Sequence, residues 1–299
     1  MKTWYYALFV FLGGCSFGIL STFVKLAYSA GFSMAEVTGS QVLFGTLIIW
    51  VLTLFTKKVR VSPLQVTKIL LGGFPMGLTG ILYYHSLETL NASLAIIFLF
   101  QFIWIGTLLE WGILKKKPSI VKVISIIILL TGSLLGAGIF TDGLQSMTWQ
   151  GAAWGMLAAT SFSTFLMISS LVEKQVPPIQ RSAILSSGAM IVTFLLFPPL
   201  FLMDGTTLVG ITPFGIILGV FGVVLPPLLF SIGMPHIGPG LGSILTASEL
   251  PVALFMSAIV LSETVDWIQW AGVILILIGI LFSNLHPFSI NKEFKKQKE

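Results

Sequence analysis

Residues 92–117 read ASLAIIFLFQFIWIGTLLEWGILKKK, and residues 239–264 read PGLGSILTASELPVALFMSAIVLSET. Each holds an apolar run of about 20 residues, the length a helix needs to cross a hydrocarbon core about 30 Å thick. Their ends differ in sign. The first run closes on Lys115, Lys116 and Lys117, while the second, 147 residues later, closes on Ser262, Glu263 and Thr264. Short loops rich in Lys and Arg stay in the cytoplasm. Two similar segments therefore leave the membrane on opposite sides, which makes the chain an inverted repeat.

The rest of the chain extends this pattern. Apolar residues make up 56% and charged residues 9%, against about a quarter charged in an ordinary soluble domain. Ten apolar blocks are expected to span: Trp4 to Val24, Ala35 to Phe55, Thr67 to His85, Ala92 to Ile113, Ile120 to Phe140, Trp149 to Val172, Ser182 to Phe201, Ile211 to Gly233, Leu241 to Leu261 and Trp267 to Leu285. Blocks of this length without strict alternation are helices, because backbone polar groups inside lipid must be satisfied within the segment. The expected fold is an all-α polytopic membrane protein with ten transmembrane helices arranged as two inverted five-helix repeats.

Threading these blocks back and forth sorts the charges. Of the 16 Lys and Arg residues, all but Lys25 fall on one side, from Lys2 through Lys57, Lys58, Arg60, Lys68, Lys115 to Lys117, Lys122, Lys174 and Arg181 to the tail at 287–299. The opposite links carry Glu36, Glu88, Asp142, Asp204, Glu263 and Asp266. Both termini are thus expected in the cytoplasm. The apolar run after Lys2 is too long for a cleavable signal and reads as a retained span.

The repeat shows in further positions. An offset of 147 places Leu94-Ala95 on Leu241-Gly242, Ile97 on Ile244 and Gly132 on Gly279, and an offset of 145 places Ser16-Phe17 on Ser161-Phe162. Five spans per copy is an odd number, so the copies insert in opposite directions and place a binding site near the midplane between them. The expected units are 1–141, 142–286 and a basic tail, 287–299.

Several motifs carry a resemblance: Gly13 to Gly18 followed by Phe23-Val24-Lys25-Leu26, the run Asn91 to Ala95, and Ser248 to Val252 leading to Leu261-Ser262-Glu263. In this order and frame the chain resembles the EamA family of the drug/metabolite transporter superfamily. The resemblance implies a five-plus-five inverted-repeat carrier, often a metabolite or amino-acid exporter of a bacterial plasma membrane. Two positions depart from it. The family often has Arg early in the second span, where this chain has Ser40-Gln41, and the first-copy counterpart of Pro251 is Trp104.

Two ionisable residues within spans mark the expected substrate site. Gly14, Gly18, Ser21 and Lys25 form one small and polar helical stripe. An ammonium facing lipid near the membrane centre costs roughly 2.5 kcal/mol or more, so Lys25 either faces a cavity or snorkels outward. Gly242, Thr246, Glu249 and Ala253 form a second stripe. A mid-span carboxylate must be paired, hydrated or protonated, so Glu249 is a candidate for binding an amine, for carrying a coupling proton, or for pairing with Lys25. Gln101, Trp104, Tyr83 and Tyr84 are weaker candidates, as cavity wall or as helix glue. Glu110 reads as an ion pair with the nearby lysines. Pro226 and Pro227 in span eight are candidate hinge residues, since proline frees carbonyls and kinks a helix.

Other chemistries are not indicated. Cys15 is the only cysteine, and His85, His236 and His286 lack metal-ligand spacing. No phosphate-binding G-x-x-x-x-G-K-[ST] loop is present, so ATP is not expected to drive the chain. No cofactor is indicated. The expected partners are the lipid bilayer and a small-molecule substrate, with no nucleic acid. The leading reading is a secondary transporter that exports an amino acid or related metabolite by alternating access, with proton coupling. The alternatives are a membrane-embedded enzyme acting on a lipid-linked substrate and an uncoupled facilitator of sugars or cationic drugs.

Overall fold

The computed structural model of the protein describes residues 3–87, 89–90, 92–138 and 148–285. Every described element is helical. The first half contains α1 (Thr3–Ser29), α2 (Met34–Leu54), α3 (Pro63–Leu87), a fourth crossing split into α4 (Ala92–Phe100) and α5 (Phe102–Leu114), and α6 (Ile120–Gly136). The second half contains α7 (Trp149–Leu171) and α8 (Pro178–Leu196). Its eighth crossing joins α9 (Gly205–Gly219) through a π-helical turn, Val220–Val224, to α10 (Leu225–Ile237). The ninth is again split, into α11 (Pro239–Thr246) and α12 (Glu249–Val260), and α13 (Trp267–Leu285) closes the bundle. Eight crossings are long and apolar enough to span a membrane, and α6 and α13 are shorter apolar helices.

Local chemistry sets the ends. Ser33 and Glu36 form a reciprocal capping box at α2, Ser119 accepts from the Lys122 amide at α6, and Thr148 accepts from the Gly151 amide at α7. Asp204 caps α9 through Thr207 and Thr206, and those hydrogen bonds hold its carboxyl down at about 2. Proline is favoured in a helix's first turn, so α8 starts at Pro178 rather than at Ser182 as expected from the apolar run. α5 and α12 end alike. Lys115 and Ser262, 147 residues apart, both take left-handed φ values, 56° and 54°.

The two halves interleave. α1 packs on α10, α11 and α12 of the second half, and its counterpart α7 packs on α3, α4 and α5 of the first. α2 lies on α9, as α8 lies on α3. Two pairs, α2 with α8 and α6 with α13, exchange with themselves. This pattern is a pseudo-twofold axis written in contacts. Hydrogen bonds follow it: Ser16 donates to the Phe221 carbonyl at 2.7 Å, and Ser161 donates to the Pro75 carbonyl at 2.9 Å. Lys2, Glu88, Asn91, Asp142, His286, the tail 287–299 and the expected boundary at 141 lie outside the described residues.

Pro226 and Pro227 follow the π-helical turn after Leu225 and are buried. Neither can donate to the preceding turn. Two of the carbonyls in that turn, those of Phe221 and Val223, are taken by the hydroxyls of Ser16 and Ser186, at 2.7 and 3.2 Å. Side chains from α1 and α8 thus make the break in the eighth crossing tolerable inside a bilayer.

One expectation needs correction. Arg181, expected in the link just before the span that begins at Ser182, is instead helical and buried, with 2% of its surface exposed. It lies inside α8 because the proline start lengthens that helix at its N-terminal end. Its guanidinium donates to the carbonyls of Ser169 and Val172, each at 3.2 Å, and to the Ser231 hydroxyl and carbonyl at 3.2 and 2.6 Å.

Candidate functional site

A cavity of about 290 Å³ lies on the pseudo-twofold axis, walled by α1, α2, α3, α4, α7, α8, the π-helical turn and α12. Its floor is aromatic. Phe17 and Phe162, partners under the 145-residue offset, meet edge to face with ring centroids 5.6 Å apart. Behind them Phe102, Phe165 and Phe230 complete a buried aromatic cluster. From this floor the wall runs to Ser21, Lys25 and Tyr28, which are exposed at the acidic end of the bundle.

The opposite, basic end is closed. Arg181 ties α7, α8 and α10 together there, and Glu110 pairs with Lys122 at 2.8 Å with its own side chain only 6% exposed. Lys122, beyond the run Lys115 to Lys117, is thus the partner that Glu110 uses. Ser170 donates to the Met234 carbonyl at 3.2 Å, and Glu173 receives Gln65 and Lys68. Those contacts, the Gln65 hydrogen bond foremost, hold the Glu173 carboxyl below the usual range. The exposed residues of the cavity wall named above, Ser21, Lys25 and Tyr28, are at the other, acidic end.

Glu249 is the first residue of α12, immediately after the break at Ala247-Ser248, and its side chain lines the cavity. The break is pinned by Ser248, which donates to the Phe11 carbonyl at 2.8 Å. Glu249 forms no side-chain hydrogen bond or ion pair among the described residues. The helix dipole of α12 favours a negative charge at this position by about 0.3–1 kcal/mol. Gly18 of α1 lies against the Glu249 backbone so closely that a Cβ there would overlap its carbonyl oxygen. α1 and α12 are thus in register at Glu249.

Lys25 lines the same cavity but at its mouth. Its ammonium binds Glu263 at 2.8 Å, both side chains being about half exposed. Glu263 also accepts from the Ser257 hydroxyl, and its carboxyl is held below the usual range, first by Lys25 and then by Ser257. Lys25 and Glu249 are not ion-paired. Ser21 and Tyr84 are in the wall with them.

Three other candidates lie apart from the wall. Gln101 and Trp104 bond to each other, indole N–H to amide oxygen at 2.7 Å, and Gln101 returns its NH₂ to the Ile97 carbonyl at 2.9 Å. They stabilise the break between α4 and α5. Thr246 is buried and donates to the Gly242 carbonyl at 2.9 Å.

The wall also holds residues that the stripe argument does not single out. Gln41 of α2 faces the cavity with its amide nitrogen against Gly222, and Thr193 of α8 presents a buried hydroxyl without a hydrogen-bond partner among the described residues. The offset of 145 signals the Phe17–Phe162 floor, since it pairs those positions in sequence. Nothing in the sequence distinguishes Thr193 from the other hydroxyls of its span.

Ten crossings in two interleaved halves around a central cavity define a membrane carrier of the inverted-repeat type. The EamA-like transporter family model matches residues 4–137 and 149–285, and the chain belongs to that family, one of transporters rather than enzymes. Among curated proteins, the uncharacterized transporter YwfM of Bacillus subtilis (strain 168) is 27% identical over 187 residues, which is 61% of this chain and 60% of that relative. The match thus spans about 60% of the relative's length. A crystal structure described only as that of a protein has the same fold, with a TM-score of 0.72 at 15% identity, covering 92% of this chain and 98% of that one.

Proposed function

We propose that the protein is a secondary transporter that exports a small amine-bearing metabolite, an amino acid or related compound, across a bacterial plasma membrane by alternating access. The observation that carries this reading is Glu249: a carboxylate at a helix break, without a side-chain partner among the described residues, facing a cavity whose wall reaches exposed residues at the acidic end. Intramembrane carboxylates of this kind bind substrate cations or coupling protons, and Glu249 is assigned both roles in alternation. The basic end, with both termini, is assigned to the cytoplasm on the distribution of Lys and Arg. The described state then faces outward, and Pro226 and Pro227 beside the π-helical turn act as the hinge that reopens the basic end. The units 1–141 and 142–286 are taken as the two copies, with 287–299 as a tail.

Counterflow in proteoliposomes tests the reading. Purified protein should exchange a labelled metabolite from a panel of amino acids and amines, and an imposed pH gradient should drive its accumulation. Exchange that ignores the pH gradient would replace the coupled carrier by an uncoupled facilitator. Chemical conversion of a lipid-linked compound without exchange would remove the transport reading.

A further inference from the structure

The charges of the cavity wall are unequal. Among the described residues, the ionisable groups in the wall are Glu249, Lys25 and three tyrosines, Tyr28, Tyr83 and Tyr84. Lys25 is already matched by Glu263. The uncommitted charge is therefore one negative carboxylate.

Position reinforces the imbalance. Gly18 is level with Glu249, and Lys25 stands seven residues further along α1, about 10 Å nearer the mouth at the helical rise of 1.5 Å per residue. The ammonium and carboxylate of an α-amino acid are separated by a single carbon. The Lys25 ammonium is held on Glu263, fourteen residues beyond Glu249, so a molecule whose amine touches Glu249 does not place its α-carboxylate on that ammonium. That carboxylate would face the Glu249 charge and aromatic wall, with only neutral donors such as Gln41 near it. A buried carboxylate without a cationic partner is strongly penalised.

The remainder of the wall suits an apolar ring. Phe17 and Phe162 form the floor, Tyr83 and Tyr84 stand with ring centroids 6.1 Å apart, and Met76 joins them. Aromatic faces attract an ammonium as well as an apolar body. A cavity of about 290 Å³ limits the ligand to a small molecule.

Resting on the carrier reading above, we propose that the substrate class is the small aromatic or apolar monoamine lacking a carboxylate, with its ammonium on Glu249 and its ring over Phe17 and Phe162. The cavity discriminates against the parent amino acid because it has a partner for the amine and none for the acid.

The test compares decarboxylated and parent pairs in the same proteoliposomes: tyramine with tyrosine, and phenethylamine with phenylalanine. Labelled tyramine should exchange by counterflow at least about tenfold faster than tyrosine. Glu249→Gln should abolish tyramine exchange while keeping a monodisperse elution profile and a wild-type melting temperature, and Glu249→Asp should retain part of it. Tyrosine exchanging as fast as tyramine would overturn the proposal and leave the carrier reading standing. Tyramine exchange that persists in Glu249→Gln would overturn the assignment of the carboxylate. If wild-type protein exchanges no member of either pair, the proposal fails, and exchange of other amino acids in the same vesicles then decides whether the carrier reading fails with it.

Discussion

Phe102 and Glu249 occupy one position in the two halves: each is the first helical residue after the break in its crossing, 147 residues apart. Phe102 is fully buried in the aromatic cluster, whereas Glu249 faces the cavity. A symmetric frame thus carries charge in one copy and packing in the other. The two sites should separate by substitution. Glu249→Gln is expected to abolish exchange with little change in melting temperature. Phe102→Ala is expected to cost about 3 kcal/mol of stability through the void it leaves, read as a lowered midpoint in detergent. A stable Phe102→Ala protein would show that the cluster does not hold the break.

The rim pair behaves as a surface ion pair with a defined acid limit. Glu263 has its carboxyl lowered by Lys25 and Ser257, so its contribution is full above the unfolded carboxylate value near 4.3 and is lost as pH falls through the lower folded value. Exposed pairs of this kind contribute about 0.2–1 kcal/mol. The melting-temperature difference between wild type and Glu263→Gln should be small and constant between pH 6 and 8, then close in stronger acid. A difference that vanishes near neutrality would mean that another group governs the rim.

Arg181 is expected to matter for stability more than any exposed basic residue. Removing its guanidinium leaves the carbonyls of Ser169, Val172 and Ser231 without their donor, a loss of about 3 kcal/mol given that hydrogen bonds to charged groups contribute about 1.5–3 each. Arg181→Lys should recover less than half, because an ammonium cannot fork across three acceptors. A scan of melting temperatures with Lys174→Ala as the exposed control decides the point. Equal midpoints for Arg181→Ala and wild type would sink it.

Gly18→Ala adds one methyl group where α1 meets the Glu249 carbonyl and Val252. Overpacking of this kind costs about 1–3 kcal/mol, and here it pushes α12 away from α1 at the cavity. Exchange is expected to fall at least tenfold with the protein still folded, whereas Gly112→Ala, which meets open space, should leave exchange unchanged. Equal exchange in the two variants would show that close α1–α12 contact is dispensable.

Most of the frame was legible because hydropathy and charge are collective signals. The crossing at Trp267 to Leu285 was read at both ends, and the offset of 147 correctly aligned the fourth and ninth crossings. The breaks at Gln101 and Ala247-Ser248 were not legible. Gln101 has neither glycine nor proline beside it, and its role emerges only from the bond with Trp104. Arg181 was misread for a related reason: a charge beside Pro177 and Pro178 looks like a loop until α7 and α10 supply its acceptors. Cavity residues such as Gln41 and Thr193 depend on which way a helix faces, and spans that are apolar on all sides carry little of that information.

The buried guanidinium also has a consequence for the order of synthesis. Two of its acceptors, Ser169 and Val172, lie 12 and 9 residues before Arg181 and leave the ribosome first. Ser231 lies 50 residues after it and arrives only with the eighth crossing. A nascent chain stopped between them holds a half-satisfied arginine at the membrane, so α8 settles fully only when α10 is made. The seventh and eighth crossings are thereby coupled in biogenesis, and a ribosome that pauses between them exposes the step.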